Sequence, residues 1–139
     1  MSETETLEAF PLQSYDKLRY NDTDRQGHVN NAVFTTFLET GRVEVFYRDP
    51  EVMQEGCEFV IARCTLDFLG EIRWPGEVKI GSGVKRLGTS SVNFFQAVFQ
   101  NGACVARAET TIVQINQQTR KSQPLSEGAR AKLESLMMA

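Results

Sequence analysis

Histidine and cysteine are scarce in this chain: one histidine and three cysteines in 139 residues. Cys57, Cys64 and Cys104 follow no metal-ligand spacing, and His28 alone cannot complete a usual zinc site with them. Their odd number fits free thiols in a reducing compartment rather than a disulfide framework. Cys64 sits in an apolar phase and reads as a small buried hydrophobe. No apolar run is long enough to span a bilayer. There is no G-x-S-x-G elbow, because Gly81-Ser82-Gly83 lies inside a strand pattern, and neither G-x-G-x-x-G nor a P-loop occurs. Asp22-x-Asp24-x-Gln26-Gly27 imitates the start of a calcium loop, but the twelfth position is Val33, where a bidentate Glu is required. Metal and cofactor are therefore both expected to be absent. The formal charge of −3, from 15 basic and 18 acidic side chains, argues against a nucleic-acid partner. Repeats, low-complexity segments and internal linkers are absent.

The opening stretch MSETETLEAFP is acidic and lacks the apolar core of a secretory signal. Residues 1–13 are expected to form a short mobile tail, and 14–139 a single domain. A cytoplasmic location, with no membrane contact, is the matching expectation.

What is present is alternation. Ser14 to Tyr20 reads as a first strand, with Leu18 and Tyr20 on one side and Lys17 and Arg19 on the other. Glu58 to Leu69 places Val60, Ala62, Cys64, Leu66 and Phe68 on one face. Glu77 to Leu87 and Ser91 to Gln100 alternate again, and Ala103 to Ile115 forms the last strand. Asn101-Gly102, between two alternating runs, is the signature of a type I′ hairpin. Phe94 and Val98 oppose Phe95, Ala97 and Phe99, so both faces of that strand are expected to be covered, one by a second subunit. Between the first two strands, Phe34, Phe37, Leu38, Gly41 and Val45 recur at helical spacing. That helix should start at Asn30 or Asn31 and stop by Asp49, before Pro50, giving about 18 residues and about 27 Å. Gly41 would let another backbone approach closely. A short helix capped by Ser126 follows a loop from Asn116 to Pro124. The order predicts an α+β layer arrangement, a meander sheet packed on one side by the long helix. Its open edges need shortening, charge or a second chain, so a dimer is expected.

The chemistry concentrates in Tyr20 to Arg42, YNDTDRQGHVNNAVFTTFLETGR. Aspartates in such a loop serve as turn and capping residues as readily as catalysts, and Asn30 and Asn31 are adequate as caps. Yet a carboxylate beside a helix start has chemical content. Free N–H groups and the positive dipole end can hold a developing oxyanion. The carboxylate can activate water or attack a carbonyl itself. A thioester suits this equipment, because its thiolate leaves without a strong general acid.

Asp22-Thr23-Asp24-x-x-Gly27-His28-Val29-Asn30-Asn31, followed by Phe34, Glu39 and Arg42, resembles the hotdog-fold acyl-CoA thioesterases, within their 4-hydroxybenzoyl-CoA thioesterase-like group. The stretch from Val84 to Ser91 and the Asn101-Gly102 hairpin extend the resemblance over Tyr15 to Pro124. It implies a hotdog fold, with an antiparallel sheet wrapped around a long helix. It also implies a homodimer or homotetramer with sites at the subunit interface, acting on acyl-CoA. By the same resemblance Asp24 is the catalytic carboxylate, the backbone amide at Asn31 or a close neighbour polarises the carbonyl, and His28 and Asn30 line the pocket. Some relatives carry an aromatic pair where this chain has Asn30-Asn31. Basic residues that some relatives place near the Gly88–Ser91 turn for coenzyme A phosphates are partly missing here; Lys85 and Arg86, close by, are the expected substitutes, with Ser90 beside them. Another hotdog branch uses a helix glutamate, which makes Glu39 the second-choice carboxylate; its ordinary role would be an ion pair with Arg42. Two alternatives stay open: a non-catalytic hotdog module that binds acyl groups or serves assembly, and a hotdog hydratase or dehydratase.

Overall fold

Alternating strands and one amphipathic helix assemble as a single antiparallel sheet with a helix across it. The computed structural model describes residues 5–138. The strands are β1 (Leu12–Lys17), β2 (Cys57–Phe68), β3 (Glu77–Leu87), β4 (Ser91–Gln100) and β5 (Ala103–Asn116), in the order β1-β3-β4-β5-β2. Helix α1 (Phe34–Phe46) precedes β2, and α2 (Glu127–Glu134) follows β5. This is the expected α+β arrangement, but only β3, β4 and β5 form a meander. β2 pairs with β5 at the far edge of the sheet rather than with its neighbours in sequence. Asn101 and Gly102 both have positive φ (52° and 84°), as a type I′ turn requires. None of the helices among the described residues is long and apolar enough to cross a membrane.

The apolar stripe of α1 is buried as its spacing predicts: Phe34, Phe37, Leu38, Gly41 and Val45, with Arg42 and Phe46 added. Phe34, Phe37 and Leu38 pack on Val78, Ile80, Val98, Ala106 and Ala108 of the sheet. Val45 and Phe46 continue the core toward Val84, Phe94 and Ile112, where Leu133 of α2 joins them. Gly41 sits where the sheet comes closest. A Cβ there would lie 2.7 Å from both Gln96 Nε2 and Ser82 Oγ. Beneath it runs a buried polar line: Arg42 Nη1 donates to Gln96 Oε1 (3.3 Å), and Gln96 Nε2 donates to Ser82 Oγ and to the Leu38 carbonyl (2.9 Å each).

Several expectations need correction. The first strand begins at Leu12 and ends at Lys17; Tyr20–Asp22 is a 3-10 turn, because Asp22 hydrogen-bonds back to Arg19. Within the expected tail, Leu7–Ala9 forms a 3-10 turn and Phe10 is buried, stacked on Phe95 at 5.6 Å; residues 1–4 lie outside the described residues. Phe10 therefore covers the second face of β4 in the same chain, where a second subunit was expected. The space it fills is left by Gly81, whose Cβ would fall 2.5 Å from the ring. Helix α1 ends at Phe46, short of Asp49; the Asp49 carboxylate instead accepts the Glu51 N–H in the turn that follows. In β2 a bulge between Ile61 and Arg63 reverses the alternation. Phe59 packs at a tilt against Phe46 before the bulge, and Phe68 meets Phe34 edge-to-face after it. Cys64 is exposed rather than buried, since β2 is an edge strand. All three cysteines are free.

Candidate active site

The loop between β1 and α1 is built by its own polar groups. Asp22 is buried; its carboxylate accepts the Arg19 backbone N–H (2.9 Å) and Arg19 Nη2 (3.0 Å), and its carbonyl accepts the Asn30 N–H (2.9 Å). Asp22 thus ties the start of the loop to the start of the helix. Thr23 and Val29 pair as an isolated bridge, and the Asp24 N–H donates to the His28 carbonyl (2.9 Å). The chain turns back through Gly27, whose N–H donates to the Asp24 carbonyl (3.2 Å). This closed loop holds the Asp24 side chain half-buried, with one oxygen, Oδ1, accepting the Gln26 N–H at 2.8 Å. Its other oxygen, Oδ2, stands 3.6 Å from His28 Nδ1.

The helix start sits beside it. Asn30 is the cap: Oδ1 accepts the Ala32 N–H (2.9 Å), and the Val33 N–H donates to the Asn30 carbonyl (2.9 Å). A 3-10 turn, Asn31–Val33, then leads into α1. Asn31 is exposed, and its N–H has no acceptor among the described residues. A carboxylate and an unclaimed N–H at a helix start are the two groups an acyl-transfer centre needs.

The loop after β2 braces this assembly. The Val29 N–H donates to the Ile72 carbonyl (2.7 Å), and His28 bridges to Arg73. Gln100, at the end of β4, clamps Arg73 from the other side: Oε1 accepts its N–H (3.0 Å) and Nε2 donates to its carbonyl (2.7 Å). Glu71 Oε2 lies 3.2 Å from His28 Nε2, and Glu71 Oε1 accepts from Arg73 Nη2 at 3.2 Å.

A family model described as the thioesterase-like superfamily matches residues 18–133. The chain belongs to that superfamily. Solved structures agree with this thioesterase assignment. A Thermus thermophilus thioesterase, in complex with coenzyme A and Zn, is 35% identical, with a TM-score of 0.81 over 93% of this chain and 96% of that one. A predicted thioesterase from Bacillus stearothermophilus is 26% identical, with a TM-score of 0.83 over 90% and 95% of the two chains. A Pseudomonas aeruginosa protein, 22% identical, shares the fold over 99% of both chains with a TM-score of 0.86. Comparison with curated protein sequences gives no match. The fold is the hotdog fold, and the protein is a thioester hydrolase.

In this thioesterase the expected residues separate into three places. Asp24, His28, Asn30 and Asn31 come together in the loop just described. Glu39 lies farther along α1, on the rim of a groove of about 120 Å³ between α1 and β2, lined also by Arg42, Phe46, Phe59 and Ile61. Arg42 is buried at the groove wall; burial pushes its guanidinium down from the ordinary value, against the opposing influence of Cys64 and Glu39. Lys85, Arg86 and Ser90 form the third place. The loop end of the sheet is marked by the bond from the Leu18 N–H to the Gly76 carbonyl, whereas these three residues follow at the other end of β3, roughly 30–40 Å along the strand. Lys85 Nζ lies 3.2 Å from Glu109 Oε2 and over the Phe95 ring, on the face opposite α1. Among the described residues no group of three or more His, Cys, Asp or Glu side chains could hold a metal ion. Glu71 and Gln100 were missed by sequence reasoning, because only the folded chain brings them to the loop.

Proposed function

We propose that this thioesterase hydrolyses an acyl-CoA thioester to the free acid and coenzyme A, with Asp24 as general base or nucleophile. The carrying observation is the half-buried Asp24 carboxylate beside a helix start whose first N–H, at Asn31, is unclaimed. On the base route, Asp24 takes a proton from water and the water oxygen attacks the carbonyl carbon. The oxyanion is held by the Asn31 N–H and the helix dipole. Collapse breaks the C–S bond, and the thiol leaves as thiolate. On the nucleophile route, Asp24 attacks first, the C–S bond breaks to release the thiolate and leave a mixed anhydride, and water hydrolyses that anhydride to the free acid and the Asp24 carboxylate. Asn30 and His28 position substrate or water in either case. Coenzyme A as the thiol carrier is supported by the ligand of the Thermus relative.

The working unit is proposed to be a homodimer or a tetramer of such dimers. β2 is an edge strand with Ile61 (55%) and Phe68 (49%) exposed beside it. Antiparallel pairing of two such edges would set opposite ends of two sheets side by side. That arrangement would carry a partner's Lys85–Ser90 region toward the loop of Asp24, which the same region cannot reach within one chain.

Thiol release over a panel of acyl-CoA chain lengths tests the activity. Wild type should release coenzyme A, and Asp24→Asn should lose about 10²-fold or more. Equal rates for the two would overturn the assignment of Asp24. An absence of cleavage, together with a Tm raised by acyl-CoA, would favour a binding module instead.

A further inference from the structure

His28, the sole histidine, stands between two carboxylates, Asp24 on its Nδ1 side (3.6 Å) and Glu71 on its Nε2 side (3.2 Å). The ring is one-fifth exposed and held at its backbone by the bridge to Arg73. A neutral imidazole has one N–H to donate, and a carboxylate can only accept. The nearer acceptor belongs to Glu71, and the bond made by one ring nitrogen decides the state of the other. Glu71 Oε2 is within donor–acceptor distance of Nε2; with the Nε2–H turned onto it, Nδ1 presents a lone pair to Asp24. The gap of 3.6 Å is longer than a hydrogen bond while Asp24 is a carboxylate. Once Asp24 has taken a proton, closing that gap by several tenths of an ångström would let the carboxyl O–H donate to Nδ1.

Resting on the base route above, we infer that Glu71 is a positioning residue that makes His28 the proton acceptor behind Asp24. Glu71 accepts the Nε2–H, fixes the ring and aims Nδ1 at Asp24 Oδ2. Water gives its proton to Asp24, Asp24 passes it to Nδ1, and Asp24 returns to the carboxylate form. The imidazolium so formed lies between Asp24 and Glu71, with Arg73 on the outer oxygen of Glu71. Glu71 is half-exposed, so the proton can leave to solvent from that side.

A single histidine makes the test direct. In ¹⁵N-labelled protein, long-range proton–nitrogen correlation reports which ring nitrogen of His28 carries hydrogen, with no substrate present. The expected result is an Nε2–H resonance in wild type that is lost to exchange in Glu71→Ala and regained in Glu71→Gln, whose amide oxygen still accepts. In thiol-release kinetics Glu71→Ala should lower kcat about 10-fold with KM nearly unchanged, and Glu71→Gln should recover most of that loss. The double variant His28→Gln/Glu71→Ala should be no slower than His28→Gln alone, because the two act as one unit. An Nε2–H resonance unchanged in Glu71→Ala would overturn the inference, as would additive losses in the double variant or a Gln variant as slow as Ala. Thermal melts of each variant separate these results from misfolding. Should wild type cleave no thioester, the proposed activity fails, and the resonance still decides the Glu71–His28 bond.

Discussion

Two aspartates one residue apart have opposite environments, and that difference is open to measurement. Asp22 is 3% exposed and spends its carboxylate on the Arg19 backbone and guanidinium. Asp24 keeps one oxygen clear of any backbone donor. Asp22→Ala should cost about 2–3 kcal/mol in a urea melt, through lost charge-assisted bonds and an orphaned N–H. Asp24→Asn should change stability by less than about 0.5 kcal/mol while removing activity. The pattern D-x-D shows in the sequence, but the division of labour does not, because burial depends on how Arg19 folds over the loop. Asn30 was legible as a cap from residue type alone, and Asn30→Ala should cost about 1 kcal/mol. Cys104 carries a pH signature. Burial, then the nearby Glu5, push its thiol above the ordinary value, against the opposing influence of the Ala106 backbone and Arg107. The folded chain thus holds that proton more tightly than the unfolded one. Stability should be full below the thiol's ordinary range and fall as pH rises through it. Cys104→Ala should flatten that alkaline decline in urea midpoints taken at about pH 8 and about pH 10.

At the scale of elements, alternation made β3, β4 and β5 readable nearly to the residue, because one face of each meets α1. β2 was readable as a strand but not in phase. Its bulge at Ile61/Arg63 follows from pairing with β5 and leaves no composition signal. Phe10 was misread as tail because its partners, Ala97 and Phe99, lie far along the chain. Gly41, by contrast, was legible within the apolar stripe. Gly41→Ala places a methyl group against Gln96 and Ser82, and overpacking should cost about 1–3 kcal/mol. A lowered Tm with KM unchanged would show that the contact supports the helix rather than the substrate. In the site, the contiguous residues Asp24, His28, Asn30 and Asn31 could be found by pattern. Glu71 and Gln100 could not, since each arrives on a different element.

Across the whole molecule, the exposed edge of β2 is the feature that asks for a partner. Ile61→Asp should convert the proposed dimer to a monomer in size-exclusion chromatography with light scattering, and thiol release should fall with it. A monomer of undiminished activity would mean that the site is complete within one chain, and that Lys85, Arg86 and Ser90 serve no substrate. The superfamily match over residues 18–133 settles the class of reaction; in the proposed dimer, two chains would supply the walls that select the acyl group.

The Gln100 clamp on Arg73 also sets an order in time. Hairpins such as Asn101-Gly102 close within microseconds, because their partners are adjacent. The loop carrying Asp24 and His28 is braced by Ile72 and Arg73, and these are in turn held by the last residue of β4. Contacts of such long separation form after the local ones. During refolding from urea, recovery of thioester cleavage should therefore lag the far-ultraviolet circular dichroism signal. Gln100→Ala should widen that lag, leaving a chain that regains its sheet on schedule and its chemistry late.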